Sequence, residues 1–326
     1  MLVKKRIVHE NIPNNTICWR YLRQQVHMTS TEMVEFMGVG YNSWQHYIRV
    51  NFFGVPHYKT NAFMKRLFIK GNIGEQLAME KFCNTYKDLE CIEPVFTEIK
   101  YDYFLQEKYT SNNMPQYIQL KNIRIGCSTD GFICNKYMER IGVIEVKTIT
   151  TNDHEIIFDE KIIKFRWIIQ VIIECIITNT SFGILIMYNY ITGEYMPVMV
   201  LVSLKLKEIF LEFFNFRLSQ LYYMIEQSLL IKTNNNMFKL IDTLRIRFKR
   251  DARYNEKNFK DSIQKHLLIR KFPSIRGNMT SVLEDMFSNT LPMYILRSNN
   301  KITYELGGQD TDLNNIYNKL LNLFQT

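Results

Sequence analysis

Three charged residues stand out in residues 127–148, which read C-S-T-D-G-F-I-C-N-K-Y-M-E-R-I-G-V-I-E-V-K-T. The stretch predicts a β-hairpin with Asp130 at the mouth of one strand and Glu145 and Lys147 on the other. Residues two apart in a strand point to the same face, so Glu145 and Lys147 share one and Val146 points away. Two charged side chains on one face of an Ile, Gly and Val run conflict with simple burial, because unpaired buried charge is expensive. The conflict resolves if they serve a metal ion and its substrate. Two carboxylates hold one hard cation through oxygen, and an ammonium beside them orients a water or neutralises charge developing on a phosphate.

A further acid, Glu75, falls within a long helix predicted over residues 61–86. Ala78, Met79 and Phe82 follow it at +3, +4 and +7, which puts the carboxyl on the apolar face while Glu80 points to solvent. An inward acid needs a partner: a metal or a basic group, with a buried structural salt bridge as the competing reading. Upstream, Thr29 and Glu32 fit a capping box, followed by an apolar run and the stop glycines Gly38 and Gly40. Ser30 then occupies the first helical position, where free N–H groups favour a phosphate, and Arg23 lies seven residues earlier. The same residues also make an ordinary cap beside a surface arginine. Residues 41–60 mix aromatic and basic groups, a pattern that serves core and rim more often than a DNA groove.

The elements that must carry these groups follow in order. Strands are predicted over 94–103 and 122–134, separated by a polar loop or insertion ending near Pro115. Residues 153–179 read as one helix, basic early and apolar late, on which Gln170, Glu174 and Thr178 form a thin polar stripe facing a site or another polar cluster. His154, just past the predicted hairpin, could touch DNA, though a lone histidine is more often incidental. Strands at 182–190 and 196–204 flank a Thr192-Gly193 turn, and a helix is predicted over 206–231. Residues 241–276 hold eleven Lys and Arg against four Asp and Glu, a local excess suited to a solvated face or to a phosphate backbone.

Composition narrows the partners. Of the 326 residues 46% are hydrophobic and 22% charged, which is the balance of a soluble globular protein. A net charge of +9 points to a polyanion, nucleic acid before an anionic membrane surface. The most apolar run, 167–177, is too short to span a bilayer and is interrupted by Gln170 and Glu174, so no membrane partner is expected. The first ten residues lack the apolar core of a signal peptide, and the six scattered cysteines read as reduced thiols, so an intracellular site is expected, nucleus or cytoplasm.

Asp130 followed by Glu145-Val146-Lys147 at the end of an apolar strand resembles the D…(E/D)-x-K signature of the PD-(D/E)XK nuclease superfamily. Ser128-Thr129-Asp130-Gly131 sharpens the likeness, as do Gly71, Glu75, Ala78 and Phe82 in a G-x-x-x-E-x-x-A-x-x-x-(Y/F) helix and Arg23 seven residues before Ser30. Together they resemble the lambda exonuclease and YqaJ-type branch, which includes viral alkaline exonucleases, over about residues 17–190. Two departures stand out: Thr129 where the family usually has proline, and Gln170-Val171-Ile172 where it often has Q-x-Q.

The resemblance implies an α/β fold with a restriction-endonuclease-like αβββαβ core, a mixed sheet flanked by helices, carrying helical N- and C-terminal additions. Residues 1–235 would form the nuclease core with its N-terminal helical part, and 236–326 a basic extension packed on it. Asp130, Glu145, the Val146 carbonyl and Glu75 would hold Mg²⁺, with Mn²⁺ as a substitute, and Lys147 would complete the catalytic set. Arg23 and Ser30 would bind the 5′-phosphate of a DNA end, with Ser128 and Gln170 lining the substrate. The implied activity is 5′→3′ digestion of double-stranded DNA ends in viral recombination, repair or genome processing, with a single-strand annealing protein and a homo-oligomeric ring as implied associations. A structure-specific endonuclease, an RNase of the same fold and a non-catalytic DNA-binding scaffold are the alternatives.

Overall fold

The structure is a computed structural model that describes residues 2–10, 12, 16–53, 61–87, 89–92, 96–104, 119–230, 256–272, 283, 294–296, 302–305 and 313–325. The predicted insertion near Pro115, His57, Tyr58 and Lys59 of the aromatic and basic stretch, and residues 241–255 and 273–276 of the basic stretch lie outside the described residues. Strand β1 (Leu2–His9) leads to α1 (Ile17–Gln25), the short β2 (Met28–Thr29), α2 (Ser30–Phe36) and α3 (Trp44–Phe53). The long α4 (Ala62–Thr85) precedes β3 (Glu90–Ile92), β4 (Phe96–Phe104), β5 (Gln119–Ser128), β6 (Gly131–Cys134) and β7 (Arg140–Thr148). A turn of helix, α5 (Thr151–His154), runs through a π-helical turn (Glu155–Asp159) into β8 (Ile162–Lys164) and α6 (Phe165–Thr178). Strands β9 (Phe182–Tyr188) and β10 (Tyr195–Leu201) and helix α7 (Leu204–Leu230) follow. The remaining elements are α8 (Glu256–His266), β11 (Leu268–Lys271), β12 (Tyr294–Leu296), β13 (Ile302–Glu305) and α9 (Leu313–Gln325).

The result is a mixed α/β protein. Its six-stranded sheet has the order β11-β10-β9-β7-β6-β3. Within it β7 and β9 run parallel, joined by the crossover that contains α6, and the other neighbours are antiparallel. Reading only the strands of this sheet with α4 and α6, the chain order is α4, β3, β6, β7, α6, β9, β10, β11. Strands β4 and β5 belong instead to a four-stranded sheet, β1-β4-β5-β2. The predicted strand over 122–134 is therefore two strands in two sheets, parted at Thr129-Asp130. The expected helix over 153–179 is likewise several elements. Lys161 takes a left-handed φ of 58°, which stops the π-helical turn, and the β-branched pair Ile162-Ile163 then extends to lie parallel to Tyr294–Leu296. That partner comes more than a hundred residues later, so no local pattern announces it.

Period-two alternation sorts β7 between two cores. Val143 joins one cluster with Val171, Cys175, Leu185 and Met187, under α6. Ile144 and Val146 join the other, with Ala78 and Phe82 of α4 and Ile184 and Ile186 of β9. Shifting β7 by one residue would exchange these faces and drive Glu145 and Lys147 into the α4 core, so burial specifies the register. Glycine sets the spacing of α6: a Cβ on Gly183 would lie 2.3 Å from Val171 Cγ1 and 2.8 Å from Val143 Cγ2.

Gly183→Ala should accordingly lower the unfolding free energy by about 1–3 kcal/mol through overpacking. Gly71→Ala, mid-helix on α4 with nothing within 4 Å of the new methyl, should leave stability unchanged or raise it by about 1 kcal/mol. Urea denaturation of the two variants and the wild type compares them directly.

Candidate active site

Asp130 sits where the chain passes from the four-stranded to the six-stranded sheet, and β7 grips it twice. Its own N–H donates to the Ile144 carbonyl at 3.0 Å, and the Val146 N–H donates to Asp130 Oδ2 at 2.7 Å. On the face of β7 under α6, Glu145 is 4% exposed, and Lys147 Nζ donates both to Glu145 Oε1 and, at 2.9 Å, to Gln170 Oε1. Gln170 Nε2 donates to Glu145 Oε1 at 2.6 Å and to Glu174 Oε1 at 3.0 Å. Ser30 Oγ closes the series by donating to the same Glu174 oxygen at 3.1 Å.

Glu75 arrives from α4, which approaches β7 closely because residue 74 is glycine. A Cβ there would meet Thr148 Oγ1 at 2.6 Å, and Thr148 Oγ1 donates to the Gly71 carbonyl at 3.1 Å. Ala78 and Phe82 are fully buried below it, as the helix pattern predicts, and Glu80 is exposed. The Glu75 carboxyl lies within electrostatic reach of Asp130, Glu145 and Lys147.

Crowded acids in little water resist ionisation. Burial, reinforced by Glu145 and Glu75, holds the Asp130 carboxyl well above its ordinary range despite Lys147 and the Val146 N–H. Glu75 is raised by burial and by Glu145, with Lys147 opposing. Burial would lower Lys147, but Glu145 and then Asp130 and Glu174 outweigh it, and the ammonium is held above its usual value.

The expected end-binding residues lie on the α1–α2 side. Arg23 stacks over the Trp19 ring at 4.6 Å, and Trp19 Nε1 donates to Ser128 Oγ at 2.9 Å. Burial lowers the Arg23 pKa and Glu32 opposes that, so its guanidinium lies within electrostatic reach of the first turn of α2. The capping box of Thr29 and Glu32 is present. Ser30, however, is 4% exposed with its hydroxyl turned inward to Glu174, so it faces the carboxyl network and not open solvent. His154 pairs with Glu194, away from these groups.

Asp130, Glu145 and Glu75 offer the carboxylate oxygens that a hard divalent cation takes as donors. As arranged, no group of three or more His, Cys, Asp and Glu among the described residues is drawn together tightly enough to enclose a metal. Glu145 Oε1 is instead engaged by Lys147 and Gln170, and Asp130 Oδ2 by the Val146 N–H. Among the described residues no helix is long and apolar enough to cross a membrane.

No protein-family model matches the chain, and no curated protein matches it. Among solved structures it is similar to the crystal structure of an alkaline exonuclease, LHK-Exo, from Laribacter hongkongensis, at 16% identity and a TM-score of 0.43, over 64% of this chain and 94% of that one. The same exonuclease in complex with dAMP gives 14% identity and the same TM-score, over 64% and 93% of the two chains. A superposition of that degree assigns neither fold nor activity, and the chemistry above stands on this chain's own side chains.

Glu174 is the member of this network to which the sequence pattern attached no role. The signal was present, since a glutamate four residues after Gln170 in an otherwise apolar helix has to meet something polar. Burial and Glu145 raise its pKa well above the ordinary range, opposed by the hydrogen bonds from Gln170 and Ser30 and by Lys147.

Raised carboxyls have a consequence for stability. Above about pH 4 an unfolded chain releases these protons while the folded chain keeps them. The folded state then binds more protons, so stability present in acid is lost as pH rises through the folded pKa values. Without divalent cations the thermal midpoint should fall as pH rises above about 4–5. Glu174→Gln, neutral throughout, should flatten that slope, and scanning calorimetry of both proteins across the range checks it.

Proposed function

We propose that the chain is a divalent-metal-dependent phosphodiesterase with a PD-(D/E)XK-type core, acting on DNA as a 5′→3′ exonuclease at duplex ends. The observation that supports the proposal is that Asp130 from the sheet junction, held by the Val146 N–H, and the paired Glu145 and Lys147 of β7 lie within electrostatic reach of one another and of Glu75 from α4. A binding scaffold has no need to hold three acids and an amine together against their desolvation cost.

When bound, Mg²⁺ or Mn²⁺ supplies charge neutralisation for a phosphate and a more acidic water. Asp130, Glu145, the Val146 carbonyl and Glu75 are the groups proposed to hold it. Lys147 has the charge and the two acceptor contacts that fix its Nζ, and it would stabilise negative charge growing on the non-bridging phosphate oxygens. Gln170 aims Lys147 from the side. Arg23, over the Trp19 ring whose Nε1 donates to Ser128, would take the terminal phosphate with its planar fork. The net charge of +9 favours a polyanionic substrate.

An end-labelled linear duplex and a covalently closed circle, each with and without Mg²⁺, test the proposal. Nucleotide release from 5′-phosphorylated ends only, and only with the metal, is expected. Nicking of the circle would point to an endonuclease, cleavage of RNA to a ribonuclease, and binding without products to a scaffold. Lys147→Ala and Asp130→Ala should each lower turnover by about 10²–10³-fold while DNA binding persists. Arg23→Ala should remove the preference for phosphorylated over hydroxyl 5′ ends.

A further inference from the structure

Glu174 takes no part in the chemistry just proposed, yet it is 0% exposed in the middle of α6. Its Oε1 accepts from Ser30 Oγ and from Gln170 Nε2, while Oε2 has no hydrogen-bond partner among the described residues. An acid in such a place gives up its hydration, and only its contacts offset that loss. What it holds is an amide whose orientation matters. With Nε2 toward Glu145 and Glu174 and Oε1 toward Lys147, every Gln170 contact pairs a donor with an acceptor. Turned over, the amide would set its oxygen against two carboxyl groups and its NH₂ against an ammonium.

Glu145 and Glu174 each take one of the two hydrogens on Nε2, and with both engaged the amide cannot turn. Glu174 lies on the same helix as Gln170, one turn on, so the second contact ties the amide to α6 itself and not only to β7. The link through Ser30 adds α2, whose first residue shares the same carboxyl oxygen.

We infer that Glu174 is a positioning residue: one of its carboxyl oxygens fixes the Gln170 amide against Lys147 and Glu145 and, through Ser30, locks the start of α2 to the same network. Its consequence for catalysis rests on the function proposed above; the positioning itself does not. Glu174→Met fills the volume without an acceptor, whereas Glu174→Gln returns an amide oxygen to the place of Oε1.

Two measurements separate the claims. By ¹⁵N–¹H NMR the Gln170 side-chain amide, identified by its loss in Gln170→Ala, should show two inequivalent, slowly exchanging protons. In Glu174→Met their exchange should quicken about tenfold or more, and in Glu174→Gln it should return toward the wild-type rate. On linear duplex with Mg²⁺, Glu174→Met should lower kcat by about 10–100-fold with little change in KM, and Glu174→Gln should recover most of it. A rapidly exchanging Gln170 amide in the wild-type protein overturns the inference even if Glu174→Met fails to fold. So does a folded Glu174→Met with wild-type exchange and kcat. A wild-type protein that cuts no DNA defeats the proposed function, and the exchange data still decide the positioning role.

Discussion

One ammonium answers for a crowd of acids at the end of β7. Lys147 feels Glu145, Asp130 and Glu174 together, and Glu75 feels Lys147 in turn. Charge of one sign gathered in a poorly hydrated place is tolerated only when every oxygen has a donor, a proton or a cation near it. Much of the surrounding architecture can be understood as supplying those donors. The Val146 N–H serves Asp130, the Gln170 amide serves Glu145 and Glu174, and the Ser30 hydroxyl serves Glu174.

The supply depends on placement by the backbone. β7 must keep its register so that Glu145 and Lys147 face α6 while Val146 faces α4. α6 must lie close to the sheet, which Gly183 permits, and α4 must lie close to the end of β7, which Gly74 permits. The chain must also change sheets at Thr129-Asp130, because a continuous strand there would have carried Asp130 along the four-stranded sheet. Its N–H would then have lost the Ile144 carbonyl.

What was legible in the sequence was whatever depends on short-range pattern. The alternation of β7, the apolar face of α4 below Glu75, the Thr29–Glu32 capping box and the hairpin turn at Gly193, with its left-handed φ of 72°, all follow from neighbours in sequence. Long-range pairing was not legible. Nothing in Ile162-Ile163 announces Tyr294–Leu296, and nothing in 122–134 says that its halves serve different sheets. Burial of Ser30 was missed for the same reason, since its partner lies 144 residues on. The polar stripe on α6 was visible, but only its packing against α2 and β7 shows that Gln170 and Glu174 act on one another.

β11 finishes the six-stranded sheet by pairing with β10, although residues 202–267 separate the two in the chain. During synthesis β10 therefore waits at an open border, its backbone groups bare at Pro197, Met199 and Leu201, until the ribosome has delivered Leu268–Lys271. For that interval the nascent polypeptide offers a sticky rim to any other extended strand. A slow passage through the intervening segment would favour chaperone capture or clumping over productive closure.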